Sequence, residues 1–150
     1  MRRGRLYSAF GASSLLCFVV FTLGFDVIAR VAVAGQSLPV AAPESMHYMV
    51  AQPIGTLMLL APFIAMAVLS AEVARSSNRV SASVFFCVWA AALGWLYFSG
   101  HWDAQIALGQ HKWTAAALSV GLLPFMSVPV LLLAAIAAGV IAWKFRRRET

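Results

Sequence analysis

Two of the three histidines in this chain, His101 and His111, fall within the stretch GHWDAQIALGQHKWT, which also holds Asp103 and Lys112 and is bracketed by Trp102 and Trp113. Imidazole and carboxylate groups bind zinc and copper, and they are the usual acid–base groups of enzymes. The third histidine, His47, lies three residues after Glu44 in a separate polar stretch, so His47, His101, Asp103 and His111 are the candidate metal ligands. Their spacing does not favour a metal site. His101 and Asp103 are two residues apart, too close to share a helical face, and the ten-residue step to His111 fits no recognised ligand pattern. No Ser-His-Asp order, phosphate loop or HExxH run is present. The expectation is a protein that is not an enzyme, with no catalytic residue and no cofactor; a metal or redox centre built on these histidines is an alternative.

A second pair with chemistry is Asp26 and Arg30, four residues apart and therefore on one helical face. An ionised carboxylate inside a membrane segment is costly, which makes Asp26 a candidate for ion or proton coupling. Arg30 offers it a neutralising partner one turn away, and a structural pair near the head-group boundary is the favoured account. Glu72 and Arg75, three apart, read as a similar pair at the opposite end of a later segment.

The segments that must position these groups are apolar. The chain is 62% hydrophobic and only 11% charged, where soluble domains run at about a quarter charged. Four stretches exceed the roughly 18 uncharged residues that mark a membrane helix. The spacing predicts an all-α integral membrane protein, a bundle of four transmembrane helices at about 6–30, 54–75, 80–101 and 115–143. Between them come an outer loop with a short interfacial helix at about 35–53 and an outer turn at about 102–113; a basic cytoplasmic tail occupies 144–150. In the outer loop Met46, Met49, Val50 and Pro53 have amphipathic spacing, Pro43 suits a first helical turn, and Tyr48 is placed for the head-group level.

Charge sets the orientation. Arg2, Arg3, Arg5, Arg75, Arg79, Lys144, Arg146, Arg147 and Arg148 fall on one side of such a bundle, and only Arg30 and Lys112 on the other. By the positive-inside rule both termini are cytoplasmic, in a bacterial inner membrane. The net charge of +6 sits at the ends of apolar runs, which points to lipid head groups and away from nucleic acid. The first segment reads as an uncleaved anchor, since its apolar run from Leu6 to Phe25 is longer than a signal peptide's h-region. Cys17 and Cys87 lie inside apolar runs, which argues against a disulfide framework.

Two features bear on how the helices meet. Small residues recur four apart at Ala61/Ala65, Ala67/Ala71, Ala90/Gly94 and Ala135/Gly139, spacings that let backbones approach. The fourth segment is too long for the bilayer, and Pro124 and Pro129 are expected to kink it, with Ser127 serving a freed carbonyl. The aromatic residues of the third segment are expected to face lipid.

In architecture alone the chain resembles the four-helix immunity proteins of pore-forming bacteriocins and secreted effectors. The expected function is binding of a protein partner, as an accessory subunit of a membrane complex or as protection against a membrane-acting toxin. Tyr48, His101, Trp102, Asp103 and His111 are the expected contact residues. The alternative is a small homo-oligomeric, ion-coupled transporter using Asp26 and Arg30. In length and helix count the chain is similar to the small multidrug exporters, but their glutamate in the middle of the first helix has no counterpart in SSLLCFVVFTLG.

Overall fold

The computed structural model describes the backbone of residues 2–146 and the side chains of residues 6–145, so Arg147 and Arg148 of the basic tail lie outside the described residues. Every regular element among the described residues is helical. Helix α1 (Arg2–Val19) continues through one π-helical turn at Val20–Gly24 into α2 (Phe25–Ala32). Then follow α3 (Leu38–Ala51), α4 (Pro53–Ser76), α5 (Arg79–Gly109), α6 (Trp113–Gly121) and α7 (Leu123–Arg146). Four helical stretches are long and apolar enough to cross a membrane: Leu6–Ala32, Pro53–Ser76, Arg79–Gly109 and Trp113–Phe145. Their outer surfaces carry large apolar side chains such as Leu16, Trp95, Leu132 and Ile136, the surface a lipid solvent requires.

The helices meet in three layers along their length. At the end nearest the termini, Tyr7 of α1 donates to Glu72 of α4, which pairs with Arg75 at 3.3 Å as its spacing predicts. Val73, Ala82, Phe85 and Ala138 cluster beside this group. The middle layer joins Phe18, Phe63, Met66, Leu93, Tyr97 and Leu123. Phe85 and Tyr97 are thus core residues, and only part of the third segment's aromatic set faces outward. The Tyr97 hydroxyl donates to the Leu59 carbonyl at 2.7 Å, so its one polar atom is satisfied in an apolar layer. The far end holds Asp26, Arg30, Ser45, His101 and Gln105.

Three segments run differently from the expectation. The third span does not end at 101: α5 continues to Gly109, so His101, Trp102 and Asp103 are helical and not part of a turn. Nothing in HWDAQIAL breaks a helix, and its polar residues divide between faces, with His101 and Gln105 buried and Asp103 exposed. The turn is only Gln110–Lys112. It closes with the Lys112 N–H on the Ala107 carbonyl at 2.9 Å and the His111 N–H on Leu108 at 3.0 Å, a Schellman arrangement that puts His111 at φ 57°. Helix α3 starts one turn earlier than Pro43: Leu38 and Pro39 open it, and Pro43 is internal. Its inward stripe is Ala41 and Ser45, while Met46 and Val50 are exposed. Pro53 cannot donate to the Met49 carbonyl, and the Thr56 hydroxyl does so instead at 2.7 Å.

The fourth span divides at Leu122. Ser127 donates to the Pro124 carbonyl at 2.6 Å, one residue short of the Phe125 carbonyl that Pro129 leaves without its helical donor. Of the small-residue pairs, Ala67/Ala71 and Ala90/Gly94 are buried within the chain, whereas Ala135 and Gly139 face outward. The tightest approach is at Gly100, where a Cβ would lie 2.6 Å from Leu123 Cδ2 and 3.0 Å from the Ser119 carbonyl oxygen.

Two substitutions test this geometry. Gly100→Ala is expected to lower thermal stability in detergent by about 1–3 kcal/mol, the range for overpacking, because a backbone oxygen cannot move aside as a side chain can. His111→Gly is expected to raise it by roughly 0.5–1 kcal/mol, since glycine adopts the left-handed conformation without steric penalty. A neutral Gly100→Ala would mean that α5 and the fourth span are further apart than described.

Candidate functional site

Asp26 sits on the first turn of α2, immediately after the π-helical turn, with its side chain 16% exposed. Its Oδ2 accepts from Arg30 Nε at 2.8 Å and from the Ser45 hydroxyl at 2.6 Å. Its Oδ1 accepts from Gln105 Nε2 at 3.4 Å and lies 3.7 Å from His101 Nδ1. One carboxylate therefore gathers groups from α2, α3 and α5. The spacing-derived pair with Arg30 is present, but it belongs to a larger network.

Arg30 is the second node. Its Nη1 donates to Glu44 Oε2 at 2.8 Å, and its guanidinium carbon stands 5.3 Å from the centre of the Tyr48 ring. Gln36 also donates to Glu44, at 3.3 Å. The turn that brings Gln36 there needs Gly35 at φ 67°, and it lets the Gln36 N–H reach the Arg30 carbonyl at 3.1 Å. Arg30 is thus held between two carboxylates and an aromatic face, an arrangement suited to a planar, weakly hydrated cation.

This network forms the polar wall of a cavity of about 490 Å³ that is bounded by all four spans and α3. Thr22, Asp26, Ser45, His101 and Gln105 are on its polar side; Leu59, Val120 and Trp113 are among its apolar residues. The volume is in the range of pockets that hold small organic molecules. Neither ring nitrogen of His101 makes a hydrogen bond, although its side chain is only 5% exposed. The Thr22 hydroxyl is likewise buried without a partner. Buried polar atoms are ordinarily paired, and here two residues with unpaired ones line the same cavity.

The other sequence candidates are dispersed. Tyr48, Asp103 and His111 are exposed, Trp102 is half-buried, and His47 is exposed on α3. No group of three or more His, Cys, Asp or Glu side chains among the described residues is placed to hold an ion, and the three histidines lie apart. The length of α5 explains why, because it turns His101 inward beside Asp26 and carries His111 a further three turns away. Ser45, Gln105 and Thr22 were not anticipated. A signal for Gln105 was available: His101, Ala104, Gln105 and Leu108 follow the i, i+3, i+4, i+7 spacing of one helical face.

Removing one partner of the buried ion pair is expected to be costly, while removing both is less so. Arg30→Met removes the cation that pairs with Asp26 and should reduce stability by about 3–5 kcal/mol. The double variant Asp26→Asn, Arg30→Met should recover part of that loss, measured by thermal unfolding in detergent. A double variant as unstable as the two single changes summed would show that the pair is not coupled.

Comparison with models of known protein families, with curated proteins and with solved structures finds no match to this chain, and its function must be argued from this site.

Proposed function

We propose that this chain is a non-enzymatic, four-span protein of the bacterial inner membrane, with both termini cytoplasmic, that works by binding a small molecule in the cavity beside Asp26 and His101. The observation that carries this reading is the placing of His101 and Thr22, buried and with unpaired polar atoms, on the wall of one cavity of about 490 Å³. A ligand that bonds to them recovers the free energy lost when such groups are buried alone. The positive-inside bias supports the orientation, which puts the cavity towards the outer face.

Two other readings rest on particular features. Ion-coupled transport is supported by Asp26, which lines the cavity and contacts three helices; its signature would be transport abolished by Asp26→Asn. Binding of a protein partner, as an accessory subunit or in protection against a toxin, would use the exposed rim of Tyr48, Asp103 and His111 beside half-buried Trp102.

Native mass spectrometry of the protein released from its own host's membranes separates these readings. The expected result is a retained non-protein mass of small-molecule size, lost in a Gly55→Phe variant. Gly55 lines the cavity, and a Cβ added there meets nothing closer than Gln52 at 3.8 Å. A defined complex with a second polypeptide and no small adduct would overturn the cavity reading in favour of the rim.

A further inference from the structure

The ligand class can be narrowed from which groups in the cavity are already answered and which are not. Asp26 accepts from Arg30, Ser45 and Gln105, so its charge is already paired within the chain. Arg30 is engaged by Asp26 and Glu44 and lies over Tyr48, so no free cation awaits a phosphate or carboxylate. The groups left unpaired are the Thr22 hydroxyl and both nitrogens of the His101 ring. A hydroxyl and an imidazole can each hydrogen-bond to a ligand hydroxyl, and the carboxylate nearest the ring, Asp26 at 3.7 Å, is the one already paired with Arg30.

The route into the cavity is given by the split in the fourth span. Helix α6 packs along α5, and α7 packs along α4, but α6 makes no comparable contact with α4. Met58 and Leu59 of α4 and Val120 and Gly121 of α6 all line the cavity. All four belong to spans of membrane-crossing hydropathy. An opening between them would be walled by apolar side chains, as entry from the bilayer requires.

Resting on the cavity reading above, we propose that the site takes an uncharged, hydroxyl-bearing amphiphile from the bilayer. Its head bonds to Thr22 and His101, and its tail leaves between α4 and α6. Glycerides with free hydroxyls have this chemistry. A solute that enters from water would need no tail, and an ionic lipid would need a free counter-charge.

The test is a head-group series on the purified protein in detergent, with bound ligand counted by native mass spectrometry. The probes are monodecanoylglycerol, decanoate, decyltrimethylammonium and glycerol. The expected result is one monodecanoylglycerol per chain, held about tenfold or more tightly than either charged amphiphile, with no glycerol bound; tenfold is about the worth of one buried hydrogen bond. Thr22→Val and His101→Leu should each weaken monodecanoylglycerol by about the same factor. Gly121→Leu should weaken it by filling the cleft, because a Cβ at Gly121 meets nothing within 4 Å. The head-group comparison needs no variant, so it decides the matter even if His101→Leu fails to fold. A charged amphiphile bound as tightly as the neutral one overturns the neutral-head assignment while leaving the cavity as the binding centre. Glycerol bound as tightly as its ester overturns access from the bilayer. Absence of binding by all four probes overturns this inference, and the host-membrane spectrum then judges the cavity reading separately.

Discussion

One carboxylate constrains the whole of the end at which it lies. Asp26 is in an apolar span, where an isolated ionised carboxylate is costly enough to force either neutralisation or a full set of hydrogen-bond donors. Arg30, one turn along the same helix, supplies the charge but cannot reach both oxygens from every direction. The rest comes from Ser45 on α3 and Gln105 on α5. Satisfying a single group therefore fixes where three helices stand. The inward stripe of α3 is small, with Ala41 and Ser45 both buried, and this is what lets the helix come close enough for a serine hydroxyl to reach Asp26 at 2.6 Å. Arg30 tightens the same arrangement by binding Glu44, the residue before Ser45 on α3.

What could be read in the sequence is what depends on neighbours along the chain. The four apolar spans follow from uninterrupted hydropathy, and Asp26–Arg30 and Glu72–Arg75 follow from the helical repeat. Asp26 meets Ser45 across 19 residues and Gln105 across 79, and no local pattern marks those partners. The misplacing of His101 has a different cause. Polar residues after Gly100 suggest a turn, but polarity alone does not stop a helix; α5 runs on to Gly109, and the chain reverses only where His111 takes the left-handed conformation. The π-helical turn before Asp26 has no sequence signature in VFTLG. It nevertheless matters, because one extra residue per turn rotates all that follows and so decides which way Asp26 faces.

Close approach between helices replaces the hydrophobic drive that lipid cannot provide. Gly94 admits the Phe21 ring, which would lie 3.0 Å from an added Cβ, and Gly100 admits both Leu123 and the backbone of α6. These glycines bring the middle layer together around Phe63, Leu93 and Tyr97, whose residual exposure is 0%. Rigid contact in that layer is the base on which the polar end is built. The cavity begins directly beyond it, with Leu59 shared between the two.

The break in the fourth span and the polar wall lie at the same end of the molecule. A straight helix of 33 residues that followed α4 throughout would press apolar side chains against Asp26, Thr22 and His101. That contact would close the space beside them and leave no room for a further polar partner. The break at Leu122 avoids it by changing partners: α7 stays on α4, and α6 crosses to α5, where Ala104, Ala107 and Ala116 allow close contact. The space between α6 and α4 lies where the fourth span changes partners, beside the carboxylate network. A sequence evolved only for stability has a simpler solution, which is to replace Asp26 and Arg30 with apolar residues of similar size and straighten the helix. Retaining the charged pair and the unpaired histidine costs stability that an apolar core would not, and this is the physical ground for the proposal that the space beside them is used.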